Sequence, residues 1–145
     1  MRTIHAAFAA LTLFAAPALA QSEGPSYDKG SVWEFADVKT VDGHFDEYMK
    51  WLSGPWQEQQ EALKKGGFIK SYKVLLVDSP RKDEPDIVLV TEYANMAAFD
   101  KTTKEEYAIG EKIWGSLSKA SQEQAARASI RTLGGVMTTR EAVLK

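Results

Sequence analysis

The sequence predicts an α+β fold, one antiparallel sheet carrying two helices on one face, and three observations lead to it. Apolar residues alternate with a period of two in three separated stretches and more weakly in a fourth, which is the repeat of a strand. Two longer stretches place apolar residues at helical spacing, one behind Asp42 and one behind Thr103-Lys104-Glu105-Glu106. The order of these pieces is strand, helix, strand, strand, helix, strand, which is the ferredoxin-like order βαββαβ. At 145 residues the chain is long enough for one such domain with its own core.

Composition narrows the functional classes. With 44% hydrophobic and 26% charged residues the chain reads as a folded globular protein. A net charge of -2 and no run of Lys and Arg interleaved with aromatics leave nothing to attract a polyanion, so nucleic acid is not an expected partner. Residues 1–20 do not belong to the domain. Met1-Arg2-Thr3-Ile4-His5 is a short positive start, Ala6 to Ala16 is uncharged and apolar, and Ala18-Leu19-Ala20 supplies the small residues a signal peptidase reads. A signal peptide cleaved after Ala20 is expected, giving a periplasmic or secreted protein with no membrane segment once the signal is removed. The apolar run is too short to span a bilayer. Without cysteine the exported chain must be held by packing alone.

Residues 21–30 have the Gly, Pro and Ser content of a flexible leader, and the domain is expected to occupy residues 31–145. Ser31 to Lys39 reads as the first strand, with Val32, Ala36 and Val38 on one face and Trp33 and Phe35 on the other. Asp42 is placed to cap the first helix, whose stripe is Phe45, Tyr48, Met49, Leu52, Trp56 and Leu63. Pro55 lacks an N–H and crowds the preceding turn, so a kink or a restart capped by Ser53 is expected before Gly66-Gly67 ends the element. Phe68 to Val77 is the second strand. Asp78 to Pro85 is a polar loop with two prolines, and Asp86 to Ala94 is a third strand that runs into a short turn capped by Asn95. The second helix begins at the Thr103–Glu106 capping box and stops at Gly134-Gly135. Val136 to Leu144 is the last strand at an edge of the sheet, with a terminal helix as the competing reading.

Helices on one side cover only one sheet face, yet three strands are apolar on both, so a second copy of the sheet is the economical cover for the other face. With Val32-Trp33-Glu34-Phe35 opening the domain, a tryptophan-bearing first helix ending at Leu63-Lys64-Lys65-Gly66-Gly67, and Asp86-Ile87-Val88-Leu89-Val90-Thr91-Glu92-Tyr93 followed by Asn95-Met96-Ala97-Ala98-Phe99, the chain resembles the dimeric α+β barrel superfamily. That group includes antibiotic-biosynthesis-monooxygenase-like, NIPSNAP-like and EthD-like families. The resemblance implies a sheet-to-sheet homodimer with a cavity between sheet and helices. In some members that cavity oxidises small aromatic or polyketide-like substrates without a cofactor. Haem-degrading members use an Asn, a Trp and a His, but Asn95 is taken up by capping and His44 precedes the first helix, so neither haem nor any other cofactor is expected.

Candidate chemistry is sparse. His44, the one histidine outside the signal, stands at a helix start and is either an acid–base group or a solvent-exposed first-turn residue. Glu92 is either a buried carboxylate whose raised pKa suits proton transfer, or the partner of Lys73 or another strand charge. Trp33, Tyr48, Trp56, Tyr72, Tyr93 and Trp114 are candidates to line an aromatic cavity or else to fill the core. No HExxH, CxxC or Ca²⁺-loop spacing calls for a metal, and neither glycine pair stands in a phosphate-binding context. The residues favour a binding or stress-related module of unknown ligand, a small hydrophobic molecule being one candidate. The alternative is a cofactor-independent monooxygenase-like enzyme acting on a small aromatic or polyketide-like substrate, and pure self-assembly is a third.

Overall fold

The computed structural model describes residues 24–145. The expected signal and the first three residues of the expected leader lie outside them. Strand β1 (Tyr27–Thr40) leads through a turn into helix α1 (Phe45–Trp51), a π-helical turn (Leu52–Trp56) and helix α2 (Gln57–Lys65). Strands β2 (Ser71–Leu76) and β3 (Ile87–Tyr93) follow, then a 3₁₀ turn (Met96–Phe99) and helices α3 (Thr103–Trp114) and α4 (Leu117–Ala126). A second 3₁₀ turn (Arg127–Ser129) delivers the chain to β4 (Arg131–Leu144).

The sheet order is β2-β3-β1-β4 with every neighbouring pair antiparallel, the ferredoxin-like arrangement expected from the element order. Register fixes the faces, because directly paired residues point the same way. Val38 pairs with Ile87 and Ile87 with Leu76, which puts them on the helix side with Ala36, Leu89 and Val74. Trp33, Phe35, Val88, Val90, Leu75 and Met137 share the opposite side. The core is built where the first helix lies on the sheet: Tyr48, Leu52 and Trp56 pack against Val38 and Ile87, with Ile130 closing one end. Burying each such side chain stabilises the fold by about 1.5–3 kcal/mol.

Several expectations change at element ends. Tyr27 to Gly30 belongs to β1 rather than to a leader, because Ala142 to Leu144 pairs with Tyr27 to Lys29 and supplies those backbone groups with partners. The first helix is capped at His44, whose side chain makes no capping bond, and Asp42 stays in the preceding turn. Pro55 produces neither a break nor a Ser53 cap. A wider π turn accommodates the missing N–H and the helix continues. The capping box is one residue earlier than expected: Thr102 accepts from the Glu105 amide while the Glu105 carboxylate accepts from the Thr102 amide at 2.8 Å.

The second helix is two helices, because Gly115 adopts φ +73, a left-handed conformation that ends α3, and Ser116 caps α4. Gly134-Gly135 is not the helix stop but part of β4, which excludes the terminal helix. Gly134 is needed there for a close approach, since a Cβ on it would lie 2.9 Å from the Asp37 Cβ beside an irregularity in the β1–β4 pairing.

Helices α3 and α4 form an arm rather than a lid on the sheet. Only Gly110 is buried in α3 and no residue is buried in α4. Leu133 and Val136, on the helix side of β4, remain exposed.

Candidate functional site

Between α2 and the α3–α4 arm lies a groove of about 540 Å³, within the size range of small-molecule sites. Its walls follow from helical spacing. Trp56, Gln59 and Gln60 line one side from one face of the first helical segment, and Tyr107, Trp114 and Leu117 line the other from the α3–α4 corner. Arg127 closes one end. Trp56 is buried and braced edge-on by Tyr72, ring centres 5.3 Å apart, while Trp114 is 36% exposed and faces the opening from the arm.

A column of rings and cations backs this end of the groove. Tyr48 and Trp51 stack at 5.5 Å, the Arg127 guanidinium lies 4.0 Å from the Trp51 ring centre, and Arg131 lies 5.6 Å from that of Tyr48. Burial raises the Tyr48 pKa against the opposing pull of the two arginines. Arg127 is shifted down, first by burial and then by the like charge of Arg131.

The candidate aromatics do not form one cavity. Trp56 and Trp114 face the groove, with Tyr72 behind Trp56. Tyr48 is core. Trp33 stands on the other side of the sheet with the Lys73 ammonium 5.4 Å from its ring centre. Tyr93 is on the helix side but away from the groove, where it packs against Phe99 at 4.6 Å and donates a 2.8 Å hydrogen bond to Glu34. Burial and that carboxylate raise its pKa.

Glu92 is on the open face, not in the groove. Lys70 Nζ and Ser71 Oγ each donate to its carboxylate at 2.7 Å, and Lys70 also reaches Ser31 Oγ at 2.8 Å. These bonds hold the Glu92 pKa down at about 2. The shift is opposite to the raised value that proton transfer would need, and the partner is Lys70 rather than Lys73. His44 is partly exposed and bonded through Nδ1 to Glu47 at 2.8 Å. Among the described residues no group of three or more His, Asp or Glu is placed to hold a metal ion, and no helix is long and apolar enough to cross a membrane.

Sequence reading missed Gln60, Tyr107 and Arg127. Gln60 and Tyr107 carry no motif, and Arg127 sits in an alanine-rich run that reads only as good helix. The available signal was spacing: Tyr48, Leu52, Trp56 and Gln60 recur every four residues, and Gln60 continues an otherwise apolar row.

Known structures share this architecture. HapK from Hahella chejuensis superposes with a TM-score of 0.52 at 14% identity, over 76% of this chain and 91% of that one. Protein SO0527 from Shewanella oneidensis gives 0.50 at 12% identity, over 81% and 96%. A dimeric ferredoxin-like protein from an uncultured marine organism gives 0.49 at 15% identity, over 80% and 97%. No protein-family model matches the chain, and no curated protein does. At such identities the likeness to HapK and SO0527 is one of fold, and it is to the ferredoxin-like α+β fold that this domain belongs.

Proposed function

We propose that the protein is an exported, homodimeric binding module that holds a small planar aromatic molecule between α2 and the α3–α4 arm. The observation that carries this reading is the pair of indoles, Trp56 fixed and Trp114 on the arm, facing one groove with Tyr107 beside them. Aromatic walls interspersed with amide and guanidinium groups suit a ring system with a few polar substituents. Binding is favoured over catalysis because Glu92 and His44, the two candidate proton-transfer groups, both lie away from the groove lining.

Export rests on the composition of residues 1–20. Dimerisation rests on the open sheet face, where half-buried Trp33, Phe35 and Val88 adjoin exposed Leu75 and Met137. A sheet that is apolar on both sides needs cover on both, and an identical face supplies it.

The test is a titration of the chain beginning at Gln21 with two-ring aromatic amides, followed by tryptophan fluorescence. Saturable quenching is expected, with the dissociation constant raised roughly fivefold by Trp114→Ala, as stacking on one ring is worth about 1 kcal/mol. No change in fluorescence and no heat of binding up to millimolar ligand would sink the reading.

A further inference from the structure

Among the described residues Arg127 and Arg131 have no ion-pair partner, and Glu123 acts on Arg127 only at longer range. Arg131 is 7% exposed, and the Nε of each has no hydrogen-bond partner among the described residues. Neither forms an ion pair there, although other charged side chains do, including Lys70 with Glu92 and Lys39 with Asp86. Glu123, one helical turn before Arg127 and also on the groove wall, is drawn 3.9 Å from Lys119 instead. The Tyr48 and Trp51 rings offset part of the cost of removing these cations from water, but a ring quadrupole is a weaker partner than a carboxylate. Beside them, the buried Gln60 Oε1 also lacks a hydrogen-bond partner among the described residues.

From this we infer that the groove selects an anionic aromatic, a ring system bearing one carboxylate, with the rings between Trp56 and Trp114 and the carboxylate at Arg127. This rests on the groove reading above and adds the charge of the ligand. Arg127 is the residue of the pair that lines the groove, and its planar fork matches a carboxylate in geometry. Arg131 acts from behind the ring column: its like charge keeps Arg127 electrostatically unsatisfied until an anion arrives. The unpartnered Gln60 Oε1 is an acceptor within the same lining, so it suits a donor on the ring system and not the carboxylate.

The two probes are 2-naphthoate and 2-naphthamide, equal in ring system and close in shape but different in charge, measured by calorimetry on the chain beginning at Gln21. Naphthoate is expected to bind about tenfold more tightly or better, with an affinity that falls as salt is raised. Arg127→Gln is expected to weaken naphthoate about tenfold and naphthamide much less, so that the preference between the two is lost, while Arg127→Lys keeps part of the preference. Equal binding of the two probes by the wild-type chain would overturn the anion inference and leave the groove reading standing. Binding of neither would overturn both. Since the first comparison needs no variant, a folding defect in Arg127→Gln does not affect it.

Discussion

Lys70 Nζ lies 2.7 Å from Glu92 Oε1 at the rim of the open sheet face, and Glu92 is only 13% exposed while Lys70 is half in solvent. Between them they secure the start of β2 to the end of β3, where the Lys70 amide also donates to the Glu92 carbonyl at 2.7 Å.

The pH dependence follows from the sign of the Glu92 shift. Its folded pKa, about 2, is below the ordinary glutamate value of 4.5, so its contribution is fully present above 4.5 and is lost as pH falls toward 2. With Lys70 screened by solvent, the contribution is about 1–2 kcal/mol. Urea unfolding at pH 7 should show Glu92→Gln less stable by that amount, and at about pH 2 the gap should close. An equal gap at both ends would show that the charge is not what matters.

Assembly is tested on β4. Met137 is 58% exposed on the open face and touches none of the buried core cluster, so Met137→Lys should leave the circular dichroism spectrum unchanged. Light scattering at micromolar concentration should then report a dimer for the wild-type chain and a monomer for the variant. A wild-type monomer would count against the sheet-to-sheet dimer, and so would a variant that remains dimeric.

The arm depends on its first turn. Thr102→Ala removes the acceptor for the Glu105 amide and should cost roughly 1 kcal/mol. Amide exchange near the start of α3 should quicken, Thr102→Ser should restore most of the protection, and ligand affinity should weaken because Tyr107 and Trp114 ride on that helix. Unchanged exchange in Thr102→Ala would refute the assignment of the cap.

How much was readable can be followed residue by residue. The faces of β1 and β3 were legible because Val32, Val38 and Ile87 obey a period of two that only a strand imposes. The cap slipped by one because Thr102 and Thr103 are adjacent and so are Glu105 and Glu106, so two registers satisfy the same local pattern. The reach of β1 back to Tyr27 was not legible, since it depends on pairing with residues more than a hundred positions away. The same limit hid Gly134, whose role is set by contact with Asp37, while Gly115 stopped the helix without a second glycine to announce it. At the candidate site the indoles of Trp56 and Trp114 could be named in advance. Arg127 could not, because an arginine in a helix acquires meaning only from its lack of an ion-pair partner in the fold, here with Glu123 drawn to Lys119.

The widened turn at Leu52–Trp56 adjusts the phase of the first helix. Regular α-helix advances about 100° per residue, so a row repeating every four residues drifts about 40° per step and would soon rotate away from the sheet. Opening one turn absorbs that drift, and Tyr48, Leu52, Trp56 and Gln60 stay in line. Pro55 is therefore less an obstacle in the helix than the means by which a single helix serves two surfaces, the sheet at its beginning and the arm at its end.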